Sequence, residues 1–201
     1  RQTAESGVPM ALPVRRFPES EADIGQLVAA DGWMMRVLAA AKAMSLPDWW
    51  IGAGFLRNRV WDAMEGNEPV RPRDVDLVSF HASDTAPETD WALSDRANER
   101  FPFARWEIRN QARMHVKDGV APFRSTAEGI AHWTETATAV AIRLDENGKL
   151  SFLYCYGSAD LLDLIVRPVT VDGATMPRDL VERRIRDKRW LERWPDLTVR
   201  L

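Results

Sequence analysis

The sequence predicts an α+β fold in which helices pack on a mixed β-sheet. Two observations lead to this fold class. Helical and strand-like segments alternate along the first half of the chain, which favours strands joined by helical connections. The second half holds two strand-like segments around Asn147-Gly148, a dipeptide typical of tight antiparallel hairpins. A sheet with both kinds of connection is mixed rather than wholly parallel.

The N-terminal part of the chain predicts an extended arm followed by the first elements of one domain. Residues 1–20 carry three prolines and little periodicity, so we expect an extended arm there and a single domain over 21–201. The elements that the apolar spacing predicts next are two helices within 21–44 that break at Gly32, a short strand over 49–51 that ends at Gly52, and a helix over 55–65.

The remaining elements follow from the same periodicities. Ser125, with Glu128 three residues on, predicts a capping box at the start of one helix. The predicted order is a strand over 75–80, a helix over 88–100, a strand over 103–109, a helix over 125–133, hairpin strands over 138–144 and 150–154, the end of a short helix over 161–166, and a closing helix over about 177–194.

Composition and charge restrict the classes of function. The 201 residues carry a formal net charge of −3 and a sequence pI near 5.7, whereas proteins that coat nucleic acid usually have a basic excess. No apolar run reaches the roughly 18 residues of a membrane span, so we expect no membrane partner. Cys155 is the only cysteine, which excludes a disulfide within the chain and favours a reducing, cytoplasmic compartment.

Two short segments carry the candidate chemistry. Gly54 opens a predicted helix, and a glycine there lets backbone approach a phosphate group that a side chain would block. Asp74 and Asp76 lie two residues apart on a predicted strand, so their carboxylates point to the same face. Mg²⁺ is usually held by one or two carboxylates together with substrate phosphates. The pattern therefore indicates metal-assisted phosphoryl chemistry.

These segments resemble the nucleotidyltransferase superfamily, which includes DNA polymerase beta, poly(A) polymerases and tRNA nucleotidyltransferases. Residues 53–58 are similar to the Gly-Gly-x-Val-Arg-Asp turn of the tRNA-nucleotidyltransferase branch, and residues 73–78 to its Lys-Asp-Ile-Asp-Leu-Val strand. From about residue 24 onward, the chain resembles a bacterial group known only as nucleotidyltransferase-family proteins. The segments that carry this closer resemblance are 48–55, 109–115, 136–140 and 156–164.

The resemblance implies an enzyme with a nucleotidyltransferase-like core that moves a nucleoside monophosphate from an NTP to a hydroxyl, with release of pyrophosphate. The acceptor is unknown and could be a small molecule, a protein or an RNA end. Two Mg²⁺ ions are expected, and the residues implied as their ligands and as the catalytic carboxylates are Asp74, Asp76 and Glu107, the last on the polar face of the strand over 103–109.

The resemblance also implies contacts to the triphosphate. The residues implied are Gly52, Gly54, Arg57 and Arg73. For the two arginines, surface ion pairs are the alternative interpretation. The chain departs from the superfamily pattern at Ala53, which replaces the first glycine of the turn, and in the nineteen residues between Gly54 and Asp74.

Two other functions remain open at this stage. A non-catalytic nucleotide sensor would keep the fold and the pocket, and the altered turn at Ala53 favours it. A protein-interaction module would use the many Trp and Arg side chains as a partner surface. That second alternative gains support if Asp74 and Asp76 are ion-paired with arginines.

Overall fold

The computed structural model describes residues 16–201, which form helices around a five-stranded sheet. The helices are α1 Glu21–Ala29, α2 Gly32–Ala43, α3 Gly54–Met64, α4 Pro87–Arg100, α5 His115–Asp118, α6 Thr126–Ala131, α7 Ala159–Leu162, α8 Arg178–Asp187 and α9 Trp190–Arg193, with a 3-10 turn at Gln111–Arg113. The strands are β1 Trp50–Gly52, β2 Val75–Ser79, β3 Trp106–Asn110, β4 Val140–Leu144, β5 Leu150–Tyr154, β6 Ile165–Val166, β7 Thr170–Val171, β8 Ala174–Thr175 and β9 Thr198–Val199.

The main sheet is mixed, which confirms the predicted α+β class. Its strand order is β3-β2-β1-β4-β5. Strands β2 and β3 pair in parallel, and every other neighbouring pair in this sheet is antiparallel. A parallel pair needs a long crossover, and α4 provides it between β2 and β3. The predicted hairpin around Asn147-Gly148 joins β4 to β5.

A row of fully buried aliphatic residues crosses four strands of the sheet. The register pairs Ile142 with Ile51, Ile51 with Leu77, and Leu77 with Ile108. Each of these side chains is completely buried in the main hydrophobic core, which also includes residues of α1, α2 and α3. Because side chains alternate along a strand, the neighbouring residues on each strand point to the opposite face.

The predicted helix at 125–133 is present as α6, and its N-cap is confirmed. Ser125 Oγ accepts a hydrogen bond of 3.2 Å from the backbone N–H of Glu128. The reciprocal half of the capping box does not form, because the Glu128 carboxylate accepts hydrogen bonds from the backbone and side chain of Arg124 instead.

The predictions for three segments were wrong in detail. The apolar run 161–166 leaves its helix after Leu162, and Ile165–Val166 forms a parallel strand with β9. The closing helix divides at Arg189, whose φ of 53° is incompatible with a right-handed helix. Strand β3 begins only at Trp106, later than predicted. Residues 1–15 of the predicted arm lie outside the described residues, and the single-domain assignment stays a prediction.

The last helix, α9, is attached to α3 through Asp62, which is completely buried. Arg193 donates two hydrogen bonds to its carboxylate, of 3.0 and 2.6 Å, and Trp194 Nε1 donates a third of 2.9 Å. The backbone N–H of Val70 donates a fourth, of 3.2 Å. These donors satisfy a charge that would otherwise be unfavourable in the core.

Removal of the Asp62 carboxylate is expected to destabilise the protein strongly. We expect Asp62→Ala to lower the free energy of unfolding by about 3 kcal/mol, because Arg193 and Trp194 lose their acceptor. Urea denaturation followed by circular dichroism measures this change. Asp95→Ala, at an exposed position of α4, is the control and should change stability by less than about 0.5 kcal/mol. Equal stability of the two variants would contradict the role of Asp62.

Candidate active site

Three sequence-predicted site residues lie level with one another across the sheet. Asp76 on β2 pairs in register with Glu107 on β3. On the other side of β2, Trp50 pairs with Val78 and Ile51 with Leu77, and continuing this antiparallel register brings Gly52 level with Asp76. Residues opposite each other on paired strands share a face, with Cβ atoms roughly 5 Å apart. The structure therefore places two carboxylates side by side, next to a backbone position without a side chain.

Asp74 joins this pair from the residue just before β2. Arg105 Nε lies 3.2 Å from Asp74 Oδ1 and forms an ion pair with it. The two groups lack hydrogen-bond alignment, however, and Oδ1 is buried without a hydrogen-bond partner in the described part of the chain. The Arg105 side chain is 61% exposed, so water weakens the ion pair. Asp74 Oδ1 therefore has an electrostatic partner but no hydrogen bond, and it would have to turn away from Arg105 to bind another cation.

The Asp76 carboxylate is in an unfavourable environment for a negative charge. Burial, followed by the charges of Glu107 and Asp74, raises the pKa of Asp76 to about 6. Lys188 and Arg57 act in the opposite direction and only partly offset this effect. Among residues 16–201, no side chain or backbone group donates a hydrogen bond to the Asp76 carboxylate, and no cation forms an ion pair with it within 4.0 Å.

Glu107 has a weak partner of its own. Arg109 Nη2 lies 3.6 Å from Glu107 Oε2, and both side chains are more than one third exposed. The other terminal nitrogen of Arg109, Nη1, donates a hydrogen bond of 2.9 Å to the carbonyl of Ile108. This ion pair lies at the surface, where such contacts contribute little to stability.

The donor set is suited to a hard divalent cation. The carboxylates of Asp74, Asp76 and Glu107 offer only oxygen ligands, which Mg²⁺ prefers, and one Asp74 oxygen is buried without a hydrogen bond. Among the described residues, no three acidic, histidine or cysteine side chains converge as a ready metal-binding group. Asp74 and Glu107 are instead directed toward Arg105 and Arg109, so both must turn before they can bind an ion together with Asp76.

The turn that precedes α3 has an unusual backbone. Ala53 has φ 53° and ψ −126°, a region that glycine adopts readily and that strains other residues. Its carbonyl accepts hydrogen bonds from the N–H groups of Leu56 and Arg57, which begins the helix. No side chain caps α3, so its first N–H groups remain available to an anion. Gly54 is the first residue of this helix.

Gly52 is required for packing, whatever its role toward phosphate. A Cβ atom at this position would lie 2.4 Å from Cη2 of Trp133, far inside van der Waals contact. The Trp133 ring therefore lies directly against the backbone of β1, close to the level of Asp76. The predicted contact between Gly52 and a triphosphate stays a prediction.

Arg57 is buried rather than directed to solvent. Its Nη1 donates a hydrogen bond of 2.6 Å to Thr138 Oγ1, and its Nη2 donates one of 2.8 Å to Asn58 Oδ1. The guanidinium also lies 4.4 Å from the centre of the Trp190 ring. Burial is the main cause that lowers the pKa of Arg57 to about 10. Arg73, in contrast, is exposed and has no ion pair among the described residues. Phosphate contacts of both arginines stay predictions.

Sequence reasoning missed a buried chain of polar contacts behind Arg57. Thr138 donates a hydrogen bond of 2.7 Å to Glu135, and Arg184 of α8 forms an ion pair of 2.5 Å with the same carboxylate. Glu135 is 1% exposed, so this ion pair attaches α8 to the interior. Nothing in the local sequence around Glu135 indicates a partner almost fifty positions away.

Lys188 is a second residue whose position the sequence did not assign. It directly follows α8, which ends at Asp187. The charge of Asp76 acts on Lys188 and the charge of Lys188 acts on Asp76. Desolvation, followed by the nearby charges of Arg184 and Arg57, lowers the pKa of Lys188. Lys188 thus belongs to the electrostatic surroundings of the carboxylates.

The helices and the mixed five-stranded sheet have the fold of a nucleotidyltransferase head domain. A family model described as "Nucleotidyltransferase" matches residues 39–199, and the chain belongs to this family of enzymes, which carry out nucleotidyl transfer from NTPs. This match confirms the resemblance to the nucleotidyltransferase superfamily that was predicted from the sequence. No curated protein matches the chain significantly.

Solved structures agree with this assignment. A protein whose NMR structure is described as revealing a CCA-adding enzyme head domain is 27% identical, with a TM-score of 0.79, and the match covers 92% of this chain and 98% of that one. A CCA-adding enzyme in complex with CTP is 16% identical with a TM-score of 0.55, and the Thermotoga maritima CCA-adding enzyme in complex with tRNA is 17% identical with a TM-score of 0.52.

Only part of each of these two CCA-adding enzymes matches the fold of this chain. Each match covers 89% of this chain but 43% and 42% of the respective enzymes, so the chain spans less than half of either.

No helix within residues 16–201 is long and apolar enough to cross a lipid bilayer.

The strained turn gives a testable gain in stability. We expect Ala53→Gly to raise the free energy of unfolding by about 1 kcal/mol, because glycine adopts a φ of 53° without a steric penalty. Ala39→Gly, at an exposed position of α2, is the matched control and should lower stability by about 1 kcal/mol. Thermal and urea denaturation measure both values. Destabilisation by both substitutions would show that position 53 is not strained.

The raised pKa of Asp76 predicts that removing this carboxylate increases stability in a pH-dependent way. The folded protein holds this proton more tightly than the unfolded chain, so wild-type stability falls as the pH rises from about 4 to about 6. In metal-free buffer, Asp76→Asn should therefore be more stable than wild type by about 2–3 kcal/mol at pH 8 and equal to it near pH 4. Urea denaturation at both values measures the difference, with Asp95→Asn as the exposed control. A pH-independent difference would contradict this origin.

Proposed function

We propose that this chain catalyses Mg²⁺-dependent transfer of a nucleoside monophosphate from an NTP to a hydroxyl group of an acceptor. The bond that forms joins the acceptor oxygen to the α-phosphorus. The bond that breaks joins that phosphorus to the oxygen bridging the α- and β-phosphates, and pyrophosphate leaves with the electron pair. The acceptor O–H bond also breaks, and its proton is released to solvent. The reaction class follows from the family, while the metal dependence and the contacts below are the proposal.

This proposal rests on the positions of Gly52, Asp76 and Glu107, which lie opposite one another on three neighbouring strands. This arrangement puts two carboxylates on one sheet face, close to a helix start that no side chain caps. Anions bind at such helix starts because unpaired N–H groups and the helix dipole point outward. A triphosphate bound there and a cation at the carboxylates would have complementary charges.

The proposed roles follow from position and charge. Asp74, Asp76 and Glu107 hold Mg²⁺, and the first N–H groups of α3, together with Gly54, receive the triphosphate. Bound Mg²⁺ supplies charge neutralisation and activation of the attacking hydroxyl. Arg73 is exposed beside Asp74 and is free to reach a phosphate oxygen. Arg57 lies behind the turn, and its positive charge favours the ionised form of Asp76.

The structural relatives support an NTP as the donor. CCA-adding enzymes with this fold have been solved with CTP and with ATP. Another was solved with tRNA, which is consistent with an RNA end as one of the possible acceptors. The acidic net charge favours a short or small acceptor over a long RNA.

A nucleotide sensor without turnover is the second candidate. Two features favour it: the non-glycine residue at the strained position 53, and the hydrogen bonds that hold Arg57 to Thr138 and Asn58. A sensor would bind an NTP in the presence of Mg²⁺ and release no pyrophosphate in the presence of any acceptor.

Calorimetric titration of the four NTPs, with and without Mg²⁺, tests the proposal. We expect micromolar to millimolar binding that requires Mg²⁺ and that weakens at least tenfold in Asp76→Asn, because the cation loses a ligand. Asp95→Asn carries the same change at an exposed site of α4 and should bind like wild type.

The outcomes separate the candidates. Absence of NTP binding at millimolar concentration with Mg²⁺ would overturn the proposal. Binding followed by acceptor-dependent release of pyrophosphate identifies transfer. The same binding without any such release, over a panel of oligonucleotides, small alcohols and proteins, would favour the sensor.

A further inference from the structure

A cationic, aromatic cavity lies next to the candidate active site. It has a volume of about 380 Å³, and the residues that form its walls include Trp33, Phe103, Arg71 and Arg105. Segments 71–72 and 102–105 come just before β2 and β3, so the cavity lies where these two strands begin. Asp74 occupies the same end of β2.

Arg105 connects the cavity to the carboxylates. Its side chain forms part of the cavity wall, while its Nε lies 3.2 Å from Asp74 Oδ1. A ligand in the cavity would therefore be one side chain away from a proposed metal ligand. The acceptor of a transfer reaction has to present a hydroxyl beside the metal and the triphosphate. A ligand separated from Asp74 by one side chain is suitably placed to do so.

The cavity carries a positive charge, of which only that of Arg105 is paired, with Asp74. The guanidinium of Arg71, a wall residue, lies 5.3 Å from the centre of the Trp33 ring. Arg36 lies outside the wall, with its guanidinium 3.9 Å from the centre of the Phe103 ring. Within residues 16–201, the side chains of Arg36 and Arg71 have no hydrogen bond or ion pair, and no acidic residue lines the cavity. The N–H groups of both arginines are thus available to an anion.

The aromatic walls are fixed in place. Trp33 Nε1 donates a hydrogen bond of 3.2 Å to the carbonyl of Phe103, which ties the two aromatic residues together. The Trp33 ring also packs 5.8 Å from the ring of Phe55. A wall held in this way loses little conformational freedom when a ligand binds.

We propose that this cavity binds one nucleotide unit of the acceptor. Its base would pack against the Trp33 and Phe103 side of the cavity. Its phosphate would be bound by Arg71 in the cavity wall, with Arg36 adding its charge from beside Phe103. Arginine planes and aromatic rings stack on nucleobases, and arginine N–H groups match phosphate oxygens. The volume fits a single small ligand rather than an extended strand. This proposal rests on the proposed function, since it assigns the acceptor of that reaction.

The nucleotide unit could be a free mononucleotide or the end of a short strand. Both present a base and a phosphate, so the cavity chemistry is the same for each. Competition between them distinguishes the two sources.

Fluorescence anisotropy with a dye-labelled single-stranded RNA trinucleotide tests the inference. We expect the double variant Arg36→Gln/Arg71→Gln to bind the probe at least tenfold more weakly than wild type. The control is Arg96→Gln/Arg183→Gln, which removes two positive charges from exposed positions on α4 and α8 and should stay within twofold of wild type. Displacement by AMP would identify a free mononucleotide, and displacement by unlabelled trinucleotide alone would identify a strand end.

Binding that Arg36→Gln/Arg71→Gln leaves unchanged would overturn the inference, as would the absence of binding to wild type. We expect the Asp76→Asn variant to bind the probe like wild type. If Asp76→Asn fails to bind the probe and the arginine double variant still binds it, the probe occupies the NTP site instead. The NTP titration distinguishes the two proposals. NTP binding without probe binding refutes the cavity alone, whereas probe binding without NTP binding refutes the transfer function and with it the acceptor role.

Discussion

The parallel pairing of β2 with β3 is the contact on which the site depends, because it brings Asp76 level with Glu107. The register is held from the opposite face, where Leu77 and Ile108 are completely buried beside each other. A slip of one residue in either strand would turn that strand's carboxylate into the core and its aliphatic side chain to the site. The apolar core thus enforces the proximity of two negative charges. Burial is the main cause of the raised pKa of Asp76, and the charge of Glu107 adds to it.

The positive charges that reduce this repulsion come from α3 and from the segment between α8 and α9. Arg57 belongs to α3, but Trp190 of α9 packs against its guanidinium. Lys188 lies between α8 and α9, and Arg184 anchors α8 to buried Glu135. The C-terminal helices are therefore part of the electrostatic surroundings of Asp76 as well as a cover for the core. Loosening them would change the charge balance at the carboxylates, although those helices lie more than a hundred positions away in the sequence.

Local patterns predicted elements that depend on local geometry, such as the hairpin between β4 and β5 from Asn147-Gly148. Strand alternation predicted that Asp74 and Asp76 share a strand face, but β2 begins at Val75 and includes only Asp76. The burial of Arg57 could not be predicted, because an arginine on a helix has the same sequence pattern whether Thr138 or water receives its hydrogen bonds. The strand at 165–166 also escaped prediction, since a two-residue strand depends on its distant partner, β9.

Comparison of the buried acidic residues separates structural from functional charge. Asp62 receives four hydrogen bonds, and Asp90 receives hydrogen bonds from Arg113 and from the backbone of Asn110. These two carboxylates are satisfied as stable interiors require. The exposed pairing of Asp74 with Arg105 gives the interaction-module alternative only weak support, because such a pair contributes little and Asp76 has no comparable pair in the described chain. Asp76, in contrast, has no hydrogen-bond donor among the described residues, and the charges of Lys188 and Arg57 only partly offset those of Glu107 and Asp74. Under the proposed function, bound Mg²⁺ would supply the remaining counter-charge.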